Sequence, residues 1–477
     1  MQDTEVALRA CQQLIADLYP EGAAISAPSI RFTGQELNLS RHFIGASAAA
    51  ALGAFACGID ALWRQRTGVS QEAVIDLRRA TVPGLRTSSH LWQGGHRLHY
   101  GRPAHESENF FLTRDGRRIY LLRISQYASL VGGLLKFLRC TNDTAELAQA
   151  VSRWDGHALE EALAERKLLG GIARTREEWL EHPQGSLLGA APPVTVTRIG
   201  DGPVQPFTGR HRPLDRIRVL DMAHVLAGPV AARLLAEQGA EVLHATAPLV
   251  QDDFRVVMDT GFGKRNIFLD LNQRGDISRA RALLADADVF VQSFRPGSLD
   301  RKGFSPAELG RLRPGLVYVS VSSYGSFGPW QSRGGLDPLG QAVSGLAIAE
   351  GSDERPALAA TMTLNDYLAA YLAAAGTVSA LWRRSREGGS YSVEVSLTRC
   401  AMWLQEPGRK PRHRWPAGDE PPADELEARD TDLMESMSAF GLLRHARPIV
   451  EFGATPSHWS LGPTPLGSAE PRWRTGP

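Results

Sequence analysis

Arg216-Ile217-Arg218-Val219-Leu220-Asp221, followed by Gly228-Pro229-Val230-Ala231-Ala232-Arg233-Leu234-Leu235, is the stretch that decides the fold. The first run reads as a buried strand and the second as a helix with proline at its first position. Gly239 ends that helix, and Ala240-Glu241-Val242-Leu243 opens the next strand, which makes a βαβ unit of the parallel, doubly wound kind. Further strands are expected at Ile267 to Leu271, Asp288-Val289-Phe290-Val291 and Leu316 to Val321, with a helix over Ser278 to Ala287. Ser305-Pro306-Ala307-Glu308, before the last strand, is a capping box. No G-x-G-x-x-G follows the first strand, which disfavours a nicotinamide or flavin enzyme.

Downstream, Gly334-Gly335-Leu336-Asp337-Pro338-Leu339-Gly340-Gln341 places one carboxylate between a glycine pair and a helical start. No histidine occurs from residue 245 to residue 412. An aspartate is ionised at neutral pH without a base, so a carboxylate working alone suits direct nucleophilic attack. Taken by itself, Gly-Gly-x-Asp is a common turn.

The order Val219-Leu220-Asp221, Val225-Leu226-Ala227-Gly228-Pro229, Gly239-Ala240-Glu241-Val242, Asp252-Asp253-Phe254-Arg255, Gly263-Lys264-Arg265-Asn266-Ile267, Phe294-Arg295-Pro296-Gly297, Leu299-Asp300-Arg301-Lys302-Gly303, Gly325-Ser326-Phe327-Gly328-Pro329 and Asp337 resembles the family III CoA-transferases. The resemblance implies that Asp337 is the nucleophile: it attacks an acyl-CoA, a mixed anhydride forms, and the returning thiolate gives an aspartyl-CoA thioester that a second carboxylic acid discharges. It also implies CoA contacts at Val225, Leu226, Leu271, Asn272, Ser293, Phe294, Arg301 and Tyr324, and a glycine-rich flap over the nucleophile at Gly94 and Gly95. The flap segment is short and flanked by bulky residues. Thr246-Ala247 stands where many members carry an acidic residue and then a basic one that reaches the CoA phosphates. Phosphate neutralisation is therefore expected from Arg255, Lys264, Arg265 or Arg301.

An internal repeat is visible. Ala61-Leu62-Trp63-Arg64 and Ala380-Leu381-Trp382-Arg383 match, each preceded by an Ala-rich helix and followed by a strand, Ala73 to Leu77 and Val393 to Leu397. After the first copy come a hairpin over Phe110 to Ile119, helices over Glu146 to Trp154 and Leu159 to Leu169, and a capping box at Thr175-Arg176-Glu177-Glu178. After the second comes a Pro-, Glu- and Asp-rich stretch. The expected architecture is α/β: a doubly wound Rossmann-like parallel sheet plus a smaller α+β domain, a composite of two incomplete family III repeats. Its parts are a partial large-domain repeat over 1–84, a small α+β domain over 85–205, a Rossmann-like domain with the nucleophile over 206–404, an exposed linker over 405–437 and a C-terminal return segment over 438–477. Pro193 to Arg198 is a similar return segment ending the first half. One composite site is expected, in a homodimer or an intrachain pseudo-dimer.

Lys+Arg of 53 against Asp+Glu of 52 leaves a net charge of +1, so no global field favours nucleic acid or an acidic membrane. The longest apolar run, Ala48 to Ile59, is too short to span a bilayer, and the opening Met1-Gln2-Asp3-Thr4-Glu5 is no signal peptide. Cys11, Cys57, Cys140 and Cys400 form no metal or redox pair, which fits a reducing cytoplasm. His90, His96 and His99 lack a carboxylate or cysteine in ligand spacing, so a polar loop is preferred to a zinc site and no metal is expected. The expected function is transfer of CoA between an acyl-CoA and a small carboxylic acid. A non-catalytic CoA-binding or scaffolding protein is the alternative. An acyl-CoA racemase is disfavoured because proton exchange needs a histidine beside the aspartate, where Leu336 stands.

Overall fold

The computed structural model describes residues 2–19, 30–98, 109–124, 127–207, 211–249, 252–359, 361, 363–416 and 427–474. Its centre is a seven-stranded sheet of β1 (Val194–Gly200), β2 (Arg218–Asp221), β3 (Glu241–Thr246), β4 (Lys264–Phe268), β5 (Val289–Gln292), β6 (Val317–Ser322) and β7 (Ser390–Ser396), in the spatial order β4-β3-β2-β5-β6-β7-β1. Strands β2 to β7 run parallel and β1 is antiparallel to β7. Both faces are covered, which is why the strands read as unbroken Val, Ile and Leu runs. The order reverses between β2 and β5, so a crevice opens beyond their carboxyl ends.

Five helices matter for the site: α1 (Ile44–Thr67), α2 (Ala227–Glu237), α3 (Asp337–Val343), α4 (Leu364–Glu387) and α5 (Leu397–Gln405). Helix α2 starts at Ala227, so Pro229 is its third residue rather than its first; the first three N–H groups of a helix need no intrahelical acceptor, and proline fits any of them. Strand β4 begins at Lys264, three residues before the expected start, because Lys264 pairs in register with Val242.

Helices α1 and α4 have 24 residues each and pack along one another. Small residues permit the approach: a Cβ on Gly58 would stand 3.0 Å from Val378 Cγ2. Each helix ends at a glycine of positive φ, Gly68 and Gly388, whose N–H returns to the carbonyl of Arg64 or Arg384. Helix α1 extends the Ala48–Ile59 run to a length and composition apolar enough to cross a membrane, but its apolar part is wholly enclosed in the protein core.

A second parallel pair, Ile30–Thr33 with Ala73–Asp76, flanks α1 and is closed by antiparallel Val450–Phe452. Each closing strand thus comes from the opposite half of the chain: β1 joins β7, and Val450–Phe452 joins Ala73–Asp76. The small unit has a three-stranded sheet, Phe110–Leu112, Arg118–Leu121 and Gly170–Ile172, with helices Ala128–Leu138, Thr144–Val151 and Gly156–Glu165. Thr175 and Glu178 form the expected capping box at the next helix, and Ser305 and Glu308 do so before β6.

Two boundaries are corrected. Residues 91–97 belong with Leu433–Ser438 and Gly441–Ala446 in a separate four-stranded sheet, paired through Gln93 and Leu443, and not with the small unit. The 405–437 stretch is no exposed linker at its ends, since Lys410 is buried against the first half and Leu433 begins a strand; residues 417–426 lie outside the described residues.

Candidate active site

Asp337 is the first residue of α3 and is 1% exposed. The N-terminus of α4 points at it. Asp337 Oδ2 accepts the backbone N–H of Asn365 and that of Asp366, the latter at 3.0 Å. Oδ1 accepts the side-chain amides of Gln341 at 2.7 Å and Asn365 at 3.2 Å. The first N–H groups of a helix have no intrahelical acceptor and carry the positive end of its dipole, so a carboxylate is well placed there. The Gln341 amide is fixed in turn, donating also to Thr361 O at 3.1 Å and accepting from Ala359 N–H at 2.8 Å.

Asp366 brings a second buried carboxyl. Burial, and then the Asp366 charge, push the titration of Asp337 well above the ordinary aspartate range, while burial pushes Asp366 up to about 7. Two carboxyls this close titrate as a pair. The four N–H groups on the oxygens of Asp337 favour its charged form against that shift. The ionised nucleophile expected from the sequence therefore depends on donors that α4 and Gln341 supply.

The small unit covers α3. Leu339 and Ala342 pack with Phe110, Tyr120, Leu122, Leu169 and Ala173, and Val343 packs with Trp179. Arg174 N–H donates to Ala342 O at 3.2 Å, and a buried pair with Glu160 at 2.8 Å holds the Arg174 side chain.

At the crevice between β2 and β5 the structure brings together Val225, Leu226, Ser293 and Phe294. His224 N–H donates to Ser293 Oγ at 2.9 Å, and the His224 ring meets Phe294 edge-on at 5.5 Å. Asp252 Oδ2 lies 3.2 Å from His224 Nδ1 and accepts Val225 N–H at 3.3 Å. Burial opposes the Asp252 charge, but the His224 hydrogen bond and its charge outweigh burial and hold the carboxyl below its usual range. Val225 has a φ of 65°, a conformation that β-branched residues rarely adopt. Burial, and then the charges of Asp252 and Asp366, push the Tyr127 hydroxyl of the small unit above its usual range. Next to Phe294, the Arg295 guanidinium lies where a side chain on Gly334 would stand, and it has no hydrogen-bond or ion-pair partner among the described residues.

Other expected contacts are placed differently. Asn272 and the Leu271 carbonyl hold Lys302 Nζ, at 3.0 and 2.9 Å, and Arg301 is exposed beside them. Arg255 lies in the first turn of Phe254–Thr260. The Tyr324 ring is in the core, edge-on to Trp330 at 5.1 Å. Lys264 is a correction: it is 1% exposed, bonded to Asp221 at 2.8 Å and Pro229 O at 2.6 Å, so its ammonium neutralises a core carboxylate and does not reach solvent. Arg265 is likewise held by Glu241 at 2.6 Å and Arg472 O at 2.8 Å. Gly94 and Gly95, with φ of 54° and 84°, form the exposed turn of a hairpin tied to Leu442, and nothing lies within 4 Å of where their Cβ atoms would stand. His90 is buried and His96 exposed, His99 lies outside the described residues, and no metal-ligating group occurs among the described residues.

Gln341, Asn365, Asp366, His224, Asp252, Tyr127 and Arg295 went unassigned in the sequence. Gln341 had a signal, its spacing of four residues from Asp337 on one helix face. His224 had another, its place just beyond the carboxyl end of β2.

Residues 214–431 match the family model described as CoA-transferase family III. This part of the chain is similar to that family. The matched segment carries α2 to α5 and the residues that hold the Asp337 carboxylate. Similar proteins include the acetyl-coenzyme A transferase nodX of Hypoxylon pulicicidum, 31% identical over 291 residues, covering 57% of this chain and 49% of that one. The succinyl-CoA–L-malate CoA-transferase alpha subunit of Chloroflexus aurantiacus is 33% identical over 207 residues, covering 40% and 48%. The acetyl-CoA:oxalate CoA-transferase of Acetobacter aceti is 34% identical over 197 residues, covering 39% and 51%. The chain spans about half the length of these relatives.

Proposed function

We propose that this protein transfers CoA from an acyl-CoA thioester to a small carboxylic acid, with Asp337 as the covalent nucleophile. An Asp337 oxygen bonds to the acyl carbon, the C–S bond breaks, and CoA leaves as thiolate, a good leaving group with a pKa of about 8.5. The thiolate then attacks the aspartyl carbonyl of the anhydride and expels the donor acid as a carboxylate, leaving an aspartyl-CoA thioester. The acceptor carboxylate repeats the two steps in reverse order and regenerates Asp337.

The observation that carries this reading is the carboxylate of Asp337 seated on the N-terminus of α4 under the small unit. The N–H groups stabilise the charge of the resting nucleophile and of each oxyanion that forms beside it. The packed small unit keeps water from the anhydride. Relatives named for succinyl-CoA, malate and oxalate support a small carboxylic acid as acceptor. Lys264 and Arg265 being engaged elsewhere, Arg255, Arg295 and Arg301 are candidate cations for the CoA phosphates.

The test is Asp337→Asn. Incubated with acetyl-CoA and a panel of carboxylic acids, the parent chain should give new CoA thioesters and the variant should lose more than about a thousandfold in rate. Activity within roughly tenfold of the parent would remove Asp337 from the role.

A further inference from the structure

The first half holds a unit built like the one that presents Asp337. In both, a strand leads through a 24-residue helix to a parallel neighbour, Ile30–Thr33 through α1 to Ala73–Asp76, and β6 through α4 to β7. Each second strand ends in a side-chain cap: Asp76 accepts Arg79 N–H at 2.9 Å, and Ser396 Oγ accepts Arg399 N–H at 3.3 Å. Aligning Ala61-Leu62-Trp63-Arg64 with Ala380-Leu381-Trp382-Arg383 offsets the halves by 380 − 61 = 319, which pairs Ala46 with Asn365.

Asn365 gives its backbone N–H to Asp337, and Ala46 gives its own to Glu36 Oε2 at 2.7 Å. A buried carboxylate that precedes the helix in sequence therefore accepts a first-turn backbone N–H of both long helices. What differs is the company it keeps. Asp337 meets amides and a second carboxyl, whereas Glu36 Oε1 is paired with Lys410 Nζ, and both side chains are fully enclosed. Burial pushes the Glu36 carboxyl up, and the Lys410 charge is the main force opposing it. Lys410 arrives on a strap that follows α5 and is fastened to the first half: its N–H donates to Arg41 O at 2.7 Å, and Arg414 forks onto Asp3 at 2.6 and 2.8 Å.

We infer that Glu36 is the counterpart of Asp337 in a second, disused carboxylate site, and that the Lys410 strap holds it out of the chemistry, so that a chain built as two halves works through one carboxylate. The inference rests on Asp337 being the nucleophile. An enclosed carboxylate bonded to an ammonium cannot approach a thioester, and its lone pairs are already engaged.

Two measurements on the whole chain test it. Acetyl-CoA with hydroxylamine as trap, followed by peptide mapping, should give a hydroxamate on Asp337 and none on Glu36. Lys410→Met should lower the melting temperature, and the double variant Glu36→Gln/Lys410→Met should recover it while keeping transfer within about twofold of the parent. A hydroxamate on Glu36, a Lys410→Met chain as stable as the parent, or a folded double variant slowed more than about tenfold would overturn the inference. If no hydroxamate forms on either carboxylate, the proposed reaction fails, and the melting temperatures still decide whether Lys410 restrains Glu36.

Discussion

Gln341 stands one helical turn beyond Asp337 and donates its amide N–H to Asp337 Oδ1 at 2.7 Å, in a site closed to water. The amide is oriented by Ala359 N–H on its oxygen, so it can present only its nitrogen to the carboxylate. Gln341→Leu should take a partner from three groups, Ala359 N–H, the Thr361 carbonyl and Asp337 Oδ1. Each lost partner costs about 1–3 kcal/mol, and removal of one oxyanion donor costs about a hundredfold in rate. Urea unfolding and single-turnover acyl transfer check both effects. A variant with the parent's stability and rate would show that the amide does not hold the charge on Asp337.

Asp366 makes the fold sensitive to pH. Its carboxyl is raised from 3.8 in the unfolded chain to about 7 in the folded one. Between those values the native state holds a proton that the unfolded state has released, so this contribution to stability is full below 3.8 and is lost as pH rises through about 7. Asp366→Asn removes the titration. The parent should lose melting temperature relative to Asp366→Asn as pH is raised from about 4 to about 8. Parallel melting curves for the two chains would show that no shared proton exists in the site.

Much of this was legible in the chain itself, for physical reasons that also mark where legibility stops. Val219-Leu220 and Val289-Phe290-Val291 are apolar on both faces because helices cover both, and such runs read as parallel strands without a structure. Asp337 stood out because two glycines and a proline fix its turn. By contrast, the N–H groups of Asn365 and Asp366 belong to the backbone and leave no mark in the side chains. Lys264 looked like a phosphate ligand because residue type does not reveal that Asp221, 43 positions earlier, waits beside it in the core. The hydrogen bond from Gly94 N–H to Leu442 O is another contact between distant parts of the chain that residue type does not reveal.

Lys264 should matter for stability and not for CoA. Its ammonium and the His244 ring, at 2.8 and 3.0 Å from Asp221 Oδ2, hold that carboxyl far below its usual range against its burial. Lys264→Met strands the charge, and breaking a buried pair this way costs about 3–5 kcal/mol. The KM for acyl-CoA should stay within about twofold of the parent, whereas Arg295→Ala should raise it. A Lys264→Met chain that unfolds in urea like the parent but binds CoA poorly would reverse the assignment.

Gly171 probes the seal over Asp337. It is buried in the small unit, and a Cβ there would stand 2.9 Å from Val343 Cγ1 and 3.4 Å from Leu339 Cδ2, both on α3. Gly171→Val adds two further carbons where even one is crowded, so the small unit must lift from the nucleophile helix or α3 must shift. Expressing 206–477 alone would be a blunter probe, since it removes α1 and β1 together with the small unit. With the seat loosened, water competes with CoA thiolate for the aspartyl anhydride, and the products change: free acid and CoA accumulate from acyl-CoA without transfer. Hydrolysis relative to transfer should rise at least about tenfold in Gly171→Val, even where total turnover of acyl-CoA falls little. An unchanged ratio in a folded variant would mean that the small unit packs on α3 without guarding the chemistry at Asp337.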